Sequence, residues 1–557
     1  LLKHDTVKRN NVMTKFFDWF NRTYAKTSVK YWQFIELIIN RRVVTLLALI
    51  FFTISSWGLI SYLPSGFIPT EDQGTIYVNV TTPSGSTLER TNEVMDKIQK
   101  AAASIPAVEG VSTLAGFSLF TDGAGASFGM AMITLKPWSQ RSEGVDEIIE
   151  QLSQKTETLK AASIQFFPPP AVPGYGNSSG FECRIQDRTG SGDLQKLESV
   201  ARTFVADLGQ QKELQNVFTS YDASFPQYLL NVDNDKAAQK GISVEHAMNN
   251  LQALVGSYYA TNFIRFGQMY KVMVQALPKY RAQPEDILKF YIKNTDGEMV
   301  PYSAFTEIER VYGPEQLTRY NMYNSAMING EPSQGHSTGE AIKIIEELSK
   351  QKLPKGYTFD WSGMTRDEIS SGNQGIYIFA ICFAFVYLIL SAQYESFLLP
   401  LPVLLSLPTG IFGAYFLLML FGLQNNIYAQ VALIMLIGLL GKNAILIVEF
   451  AILKQKEGFS PAQAVAEGAV ARLRPIVMTS LAFIFGLIPL MVATGAGAIG
   501  NRTIGTAAAG GMLFGTLFGL IVIPGLYIIF ARKTQKDPDQ NVKQNENNTP
   551  LSEIISE

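Results

Sequence analysis

The sequence predicts a membrane α-helical bundle of six transmembrane helices, grouped one plus five, that carries a large α+β region of ferredoxin-like βαββαβ subdomains. Three observations lead there. An uninterrupted apolar run over residues 43–63 is long enough to span a bilayer as a helix. Five more runs crowd into residues 375–390, 397–423, 428–453, 475–493 and 505–530. Between them, residues 64–374 alternate strand and helix patterns. Composition agrees, since 17 % of the 557 residues are charged, below the ~25 % of an average soluble domain. A formal charge of −2 removes the electrostatic case for a nucleic-acid binder. The 35 Phe and 23 Tyr exclude a disordered chain. Cys183 and Cys382 cannot form a disulfide framework, and His4, His246 and His336 are too scattered for a metal site or a catalytic triad.

Residues 1–42 are amphipathic rather than signal-like, and are expected to lie as a helix along the cytoplasmic interface with Phe16, Phe17, Trp19 and Phe20 toward lipid. The first residue is Leu, as expected of a fragment or a processed product. After the first span, residues 64–180 show a strand at 75–80, a helix at 86–103, strands at 108–115 and 129–135, a helix at 144–159 and a strand at 163–167. That order is the split βαβ motif. A second copy begins in residues 181–256, with strands at 181–186, 214–219 and 227–232 and helices at 194–208 and 244–254. A docking-type insertion at 257–312 interrupts it. Residues 313–374 complete it with strands at 325–329 and 358–361 and a helix at 338–350. Five spans fill residues 375–531, and the Asn/Gln/Glu-rich tail at 532–557 reads as a disordered cytoplasmic segment.

Orientation follows from the basic residues of the short connections. Arg41, Arg42, Lys454, Lys456, Arg472, Arg474, Arg532 and Lys533 all fall on one side of an alternating path. The loop at 422–427 has no basic residue and the loop at 494–504 only Arg502. The basic side is cytoplasmic, which sends residues 64–374 outward.

Within the spans, Lys442 stands out near the middle of GLLGKNAILIVEF, too deep to snorkel easily. A lone ammonium there must face a carboxylate, a carbonyl cluster or water. Either it locks helices together, or its partner gains and loses a proton. Glu449 follows at i+7 on the same face, and Asn443 is placed to hydrogen-bond between helices. Arg472 and Arg474 precede Pro475, where positive-inside anchoring alone accounts for them, and Thr479 lies one turn on. No Asp occurs in the six spans, so Lys442 has no evident acid partner. Gly511, Gly515 and Gly519 form a small-residue face for helix contact, and Gly438 and Gly441 offer similar close approach. Outside the spans there is no nucleotide loop, nucleophile elbow or metal signature. The stretch at 117–132 (FSLFTDGAGASFGMAM) reads as a mobile Gly-rich loop with large apolar side chains that suit a binding cleft, and PPPAVPGYG at 168–176 as a second crossing.

The motifs GLLGKNAILIVEFA, RLRPIVMTSLAFIFGLIPL, STGEA and SGNQ resemble the C-terminal half of bacterial resistance-nodulation-division (RND) pumps, in particular the hydrophobe/amphiphile multidrug exporters. The resemblance runs from the first residues to about Lys533. It implies twelve spans in two related halves, of which this chain holds the second. It also implies a periplasmic porter and docking region, a homotrimer in the inner membrane of a Gram-negative bacterium, a periplasmic adaptor and an outer-membrane channel. The energy source it implies is the proton gradient, with no cofactor. Lys442 matches the family's relay lysine, and Arg472 and Thr479 match the arginine and threonine of that network, with Asn443 beside them. The proton-binding aspartate pair belongs to the absent N-terminal half. Phe117 is similar to a pocket phenylalanine of the family's switch-loop region. Ser112, Leu119 and Met132 stand where related pumps have phenylalanines, and Phe120 and Phe128 are candidates to compensate. Lipophilic or amphiphilic small molecules are the implied cargo.

Two other readings remain open on sequence alone. Heavy-metal export calls for a methionine relay or carboxylate ligands along the cleft, and Met130, Met132, Met269 and Met273 make no convincing ladder. A non-transporting membrane scaffold or receptor with an external binding module gains little from burying Lys442. An enzyme lacks a catalytic constellation.

Overall fold

The computed structural model describes residues 12–120, 123–333, 335–372 and 374–531. Helix α1 (Val12–Asn40) leads into α2 (Arg42–Tyr62), the first of six helices among the described residues that are long and apolar enough to cross a membrane. The four aromatic side chains expected to face lipid from α1, and the tail at 532–557, lie outside what is described.

The first α/β unit follows as β1 (Thr75–Thr81), α3 (Leu88–Ala103), β2 (Val108–Ser118), β3 (Gly123–Leu135), α4 (Val145–Thr156) and β4 (Ser163–Phe167). Its four-stranded antiparallel sheet has the order β2-β3-β1-β4. Alternation along β1 turns Ile76, Val78 and Val80 onto α3 and α4, where they bury against Met95, Ile98, Ile148 and Leu152. Tyr77, Asn79 and Thr81 therefore point to the other face, which no helix of the unit covers.

The second unit has the same element order: β5 (Phe181–Asp187), α5 (Leu194–Leu208) and β6 (Leu214–Thr219) before a long excursion. The excursion contains β7 (Phe225–Val232), α6 (Asn234–Gln239), α7 (Val244–Leu251), the hairpin β8 (Tyr258–Arg265) and β9 (Gln268–Val274), then β10 (Tyr291–Lys293), β11 (Met299–Pro301) and β12 (Thr306–Gly313). After β13 (Arg319–Tyr320), the unit closes with β14 (Tyr323–Pro332), α8 (Thr338–Lys352) and β15 (Tyr357–Trp361). β6 pairs β14, which pairs β5, which pairs β15, so the strand order repeats that of the first unit. The strand expected at 227–232 and the helix expected at 244–254 belong to the excursion and not to this unit, because β7 pairs β12 and α7 buries Ala247 and Leu251 against Tyr302 and Phe305.

STGEA opens α8 as a capping box: Ser337 Oγ accepts from the Glu340 amide at 3.3 Å, and Glu340 Oε2 from the Ser337 amide at 3.4 Å. After α9 (Gly363–Ser371) come α10 (Gln374–Tyr394), α11 (Leu401–Leu404), α12 (Leu407–Leu420), α13 (Ile427–Lys456), α14 (Pro461–Met491) and α15 (Ala498–Ala531). The basic connection expected over 454–474 is short. α14 starts at Pro461, capped by Ser460, and carries Arg472, Arg474 and Pro475 inside it. Pro at the first helical turn is tolerated because its missing N–H is unpaired there anyway.

Small residues set the contact between α12 and α15. A Cβ on Gly510 would lie 2.5 Å from the Gly413 carbonyl oxygen and 2.7 Å from Leu417 Cβ. Of the expected small-residue face, Gly511 and Gly515 meet Leu436 and Leu440, whereas Gly519 meets only Ile523 of its own helix. Gly438 and Gly441 meet nothing within 4 Å, so the close approach expected there is absent among the described residues.

The strap between α2 and β1 joins the helices to both units. The Ser65 carbonyl accepts from the Gly339 amide at 3.2 Å, and Asp72 pairs with Arg141 at 2.6 Å. Glu71 caps the start of α15, accepting from the Ile499 amide at 3.2 Å and the Gly500 amide at 2.9 Å. A carboxylate there also complements the helix dipole.

Two outcomes follow. Gly510→Ala forces α12 and α15 apart and should destabilise the chain by about 1–3 kcal/mol, read as a lower thermal unfolding midpoint in detergent. Glu71→Ala leaves two amides uncapped and should cost about 1 kcal/mol in the same measurement.

Candidate functional site

Each sheet has one helix-covered face, and the open faces of the two units confront each other. On the first sheet, cross-strand register places Ser112, Met132, Tyr77 and Phe167 in one row. On the second, Ile328 packs into the helix-covered core, which leaves Met327 and Asn329 facing the first unit. Phe120 closes the gap between them, with its ring 4.9 Å from that of Phe167 and 5.0 Å from that of Phe218. Phe120, Phe167 and Met327 bury together, with Tyr77, Leu119 and Phe218 at their edge.

This aromatic cluster separates two lobes. The larger, of about 410 Å³, is lined by Leu119, Phe120, Phe128, Tyr221, Phe225 and Met327 on its apolar side. Its polar side includes Asp222, Glu315 and Arg184. Burial pushes Glu315 above the usual carboxylate range; the hydrogen bond from Ser127 opposes this and the charge of Asp222 adds to it. Burial also lifts Asp222, but hydrogen bonds from Ser224 and Ser84 and the charge of Arg202 outweigh it and hold that carboxyl low. The Arg184 guanidinium is engaged at 3.4 Å by Glu182 and stacks over Tyr320 at 5.2 Å. The smaller lobe, of about 210 Å³, lies between Phe167 and Phe218 and includes Asn329 and Glu331.

Of the six cleft residues expected from sequence, Leu119, Phe120 and Phe128 line the larger lobe. Phe117 pairs with Ala124 across the β2–β3 hairpin, while Ser112 and the exposed Met132 sit farther out on the open face. The stretch expected as a mobile loop is mostly this hairpin, and of its described residues only Leu119 and Phe120 depart from strand. Its glycines misled the reading, although pairing with β1 and β2 holds β3 extended through Gly129. Sequence reasoning missed Tyr221, Asp222, Glu315, Asn329 and Glu331. They come from segments far apart in the chain, and no spacing links them.

At membrane depth, α13 shows two different faces. Asn443 is 5 % exposed and donates to Ser480 Oγ at 3.1 Å and Thr516 Oγ1 at 3.3 Å, while Thr516 donates to Ser480 at 2.9 Å. This satisfied trio ties α13, α14 and α15. Lys442, one residue back, is turned about 100° away and is exposed, with no hydrogen bond or ion pair among the described residues. It sits midway along an uncovered stripe of Val431, Met435, Gly438, Lys442 and Glu449. From Val431 to Lys442 the steps are four and three residues, the spacing of a seam for another helix, and Glu449 lies one heptad beyond Lys442. Thr479, also exposed, donates to the Ile476 carbonyl at 3.1 Å and stands beside Ser480, hence at the level of Lys442. Arg472 lies about 10 Å further along α14. Its guanidinium rests 5.1 Å over the Phe450 ring, and its Nε is buried without a partner among the described residues. Thus Lys442 and Thr479 share a level, Arg472 sits lower beside Phe450, and Asn443 faces the bundle interior.

Comparison with known proteins agrees with this architecture. The profile of the AcrB/AcrD/AcrF family matches residues 1–531. The chain is 39 % identical over 532 residues to the multidrug/solvent efflux pump membrane transporter MepB of Pseudomonas putida, covering 95 % of this chain and 50 % of that protein. It is equally similar to the toluene efflux pump membrane transporter TtgB of Pseudomonas putida, with the same coverage. To the multidrug export protein AcrF of Escherichia coli it is 36 % identical over 543 residues, covering 96 % of this chain and 52 % of that protein. The chain spans about half the length of the curated relatives it matches. Matched along nearly its whole described length, and more than a third identical to these transporters, the chain belongs to the AcrB/AcrD/AcrF family of RND transporters.

Proposed function

We propose that this chain is one half of a proton-driven multidrug and amphiphile exporter of the inner membrane, a secondary transporter rather than an enzyme. The observation that carries this reading is the uncovered stripe on α13 with Lys442 at its centre. An ammonium at mid-span is costly against lipid, and a stripe with helix-seam spacing is suited to a second half that brings the carboxylates. Thr479 at the same level and Arg472 nearer the helix end complete a set of groups able to answer a proton on that acid, with Asn443 fixing the angle of α13 through its bonds to α14 and α15. Moving one charge through 100 mV releases about 2.3 kcal/mol, enough to bias a two-state cycle.

Both α/β units are read as ferredoxin-like porter subdomains on the periplasmic side, with the excursion as the docking element. The cleft between their open sheet faces is the cargo site, with Leu119, Phe120 and Phe128 as contact residues and Phe117, Ser112 and Met132 along the approach. The relatives' names, multidrug, solvent and toluene efflux among them, support lipophilic cargo. A homotrimer acting with a periplasmic adaptor and an outer-membrane channel completes the assembly, and the proton gradient alone supplies energy. The apolar helices α2 and α10–α15 support membrane lipids as the chain's surroundings.

In the assembled pump, Lys442→Ala should abolish proton-dependent efflux of a fluorescent amphiphile while leaving the oligomer intact by size-exclusion chromatography. Efflux that persists at the unaltered rate rejects the coupling role.

A further inference from the structure

We propose that the smaller lobe of the cleft recognises the protonated amine of an amphiphile, Glu331 taking its charge and the Asn329 amide oxygen one of its N–H groups. The inference deepens the exporter reading and rests on it for the amine's fate, though not for its binding.

Asn329 is 1 % exposed, and neither its Oδ1 nor its Nδ2 has a partner among the described residues. Such groups are nearly always paired in proteins. The register of β14 forces the orientation: Ile328 enters the helix-covered core, so Asn329 faces the lobe beside Phe218. Glu331 follows on the same strand and lines the same lobe, accepting hydrogen bonds from Ser179 Oγ at 3.0 Å and from the side chains of Asn216 and Gln215. Among the described residues no Lys, Arg or His lines the lobe, so its neutral donors leave the carboxylate without a counter-charge. Phe167 and Phe218 form its apolar walls.

These groups select by charge and by hydrogen bonding. An anion meets Glu331 with no compensating cation. A hydrocarbon leaves the Asn329 amide unpaired and the Glu331 carboxylate without a counter-charge. An ammonium on an apolar stem satisfies the carboxylate with charge-assisted hydrogen bonds, supplies a donor to Asn329, and is attracted by ring faces.

2-Phenylethylammonium, 2-phenylethanol and 3-phenylpropionate each carry one ring and differ in the charge of the head group. Saturation-transfer NMR at pH 7 on the full chain in phosphatidylcholine nanodiscs reads their binding. The amine should bind at least tenfold tighter than the alcohol or the carboxylate. Glu331→Gln should abolish that preference, and Asn329→Leu should weaken amine binding about fivefold while leaving the alcohol unchanged. Equal binding of amine and alcohol to the unaltered chain overturns the inference, and so does a preference that survives Glu331→Gln. Binding in nanodiscs needs no proton flux. Amine preference in a pump that exports nothing therefore removes the exporter reading alone, whereas export without amine preference removes this inference alone.

The Gln variant should fold at least as well as the parent. Burial, with the charge of Asp146 on α4 adding to it against hydrogen bonds from Ser179, Asn216 and Gln215, raises Glu331 above its ordinary value of 4.5. Below 4.5 the carboxyl is protonated folded or unfolded, and above the raised value the folded chain carries a desolvated charge. Glu331→Gln should thus raise the thermal unfolding midpoint at pH 7.5 and leave it unchanged at pH 4.

Discussion

Water is absent from the middle of a bilayer, and every polar group placed there must find its partner in protein. That constraint orders the helical half of this chain. Asn443, Ser480 and Thr516 meet it among themselves and thereby fix how α13, α14 and α15 rotate against one another. With Asn443 turned inward, the 3.6-residue period leaves Lys442 on the outer stripe, where no group of the described chain answers its charge. The inward and outward faces of α13 are two consequences of one rotation.

The same economy of faces shapes the α/β region. A four-stranded sheet with two helices buries one side only, and the strand order β2-β3-β1-β4 recurs in the second unit as β6-β14-β5-β15. Two half-covered sheets leave two open faces, and these meet around Phe120, Phe167 and Met327. The contact is small and aromatic, and polar side chains remain on either side of it. The strap with Glu71 and Asp72 connects this region to the first turn of α15 and to the helix-covered side of the first unit.

Much of the fold was legible because local rules decide it. The alternation at Ile76–Val80 marks a strand, and Ser337 with Glu340 marks a helix start through a reciprocal bond pair that needs no distant neighbour. Where local signals conflicted, the reading failed. The glycines of the 117–132 stretch suggested a loop, yet pairing on both edges of β3 holds that segment extended. Arg472, Arg474 and Pro475 suggested a boundary, yet α14 runs through them from Pro461. The strand expected at 227–232 joins a different sheet because its partner, β12, lies far along the chain.

The sequence by itself determined most of the helices and strands, the six runs apolar enough to cross a membrane, and that Lys442 has no evident acid partner within the spans. Periodicity, caps and charge act over one or two turns, so they are written in neighbouring residues. Only the tertiary structure decided which face of α13 is covered, which strand joins which sheet, and that Asn329 and Glu331 stand across a cleft from Phe167. Those outcomes depend on contacts between residues far apart in the chain, whose closeness is set by the packing of whole elements and by no pattern within any one of them.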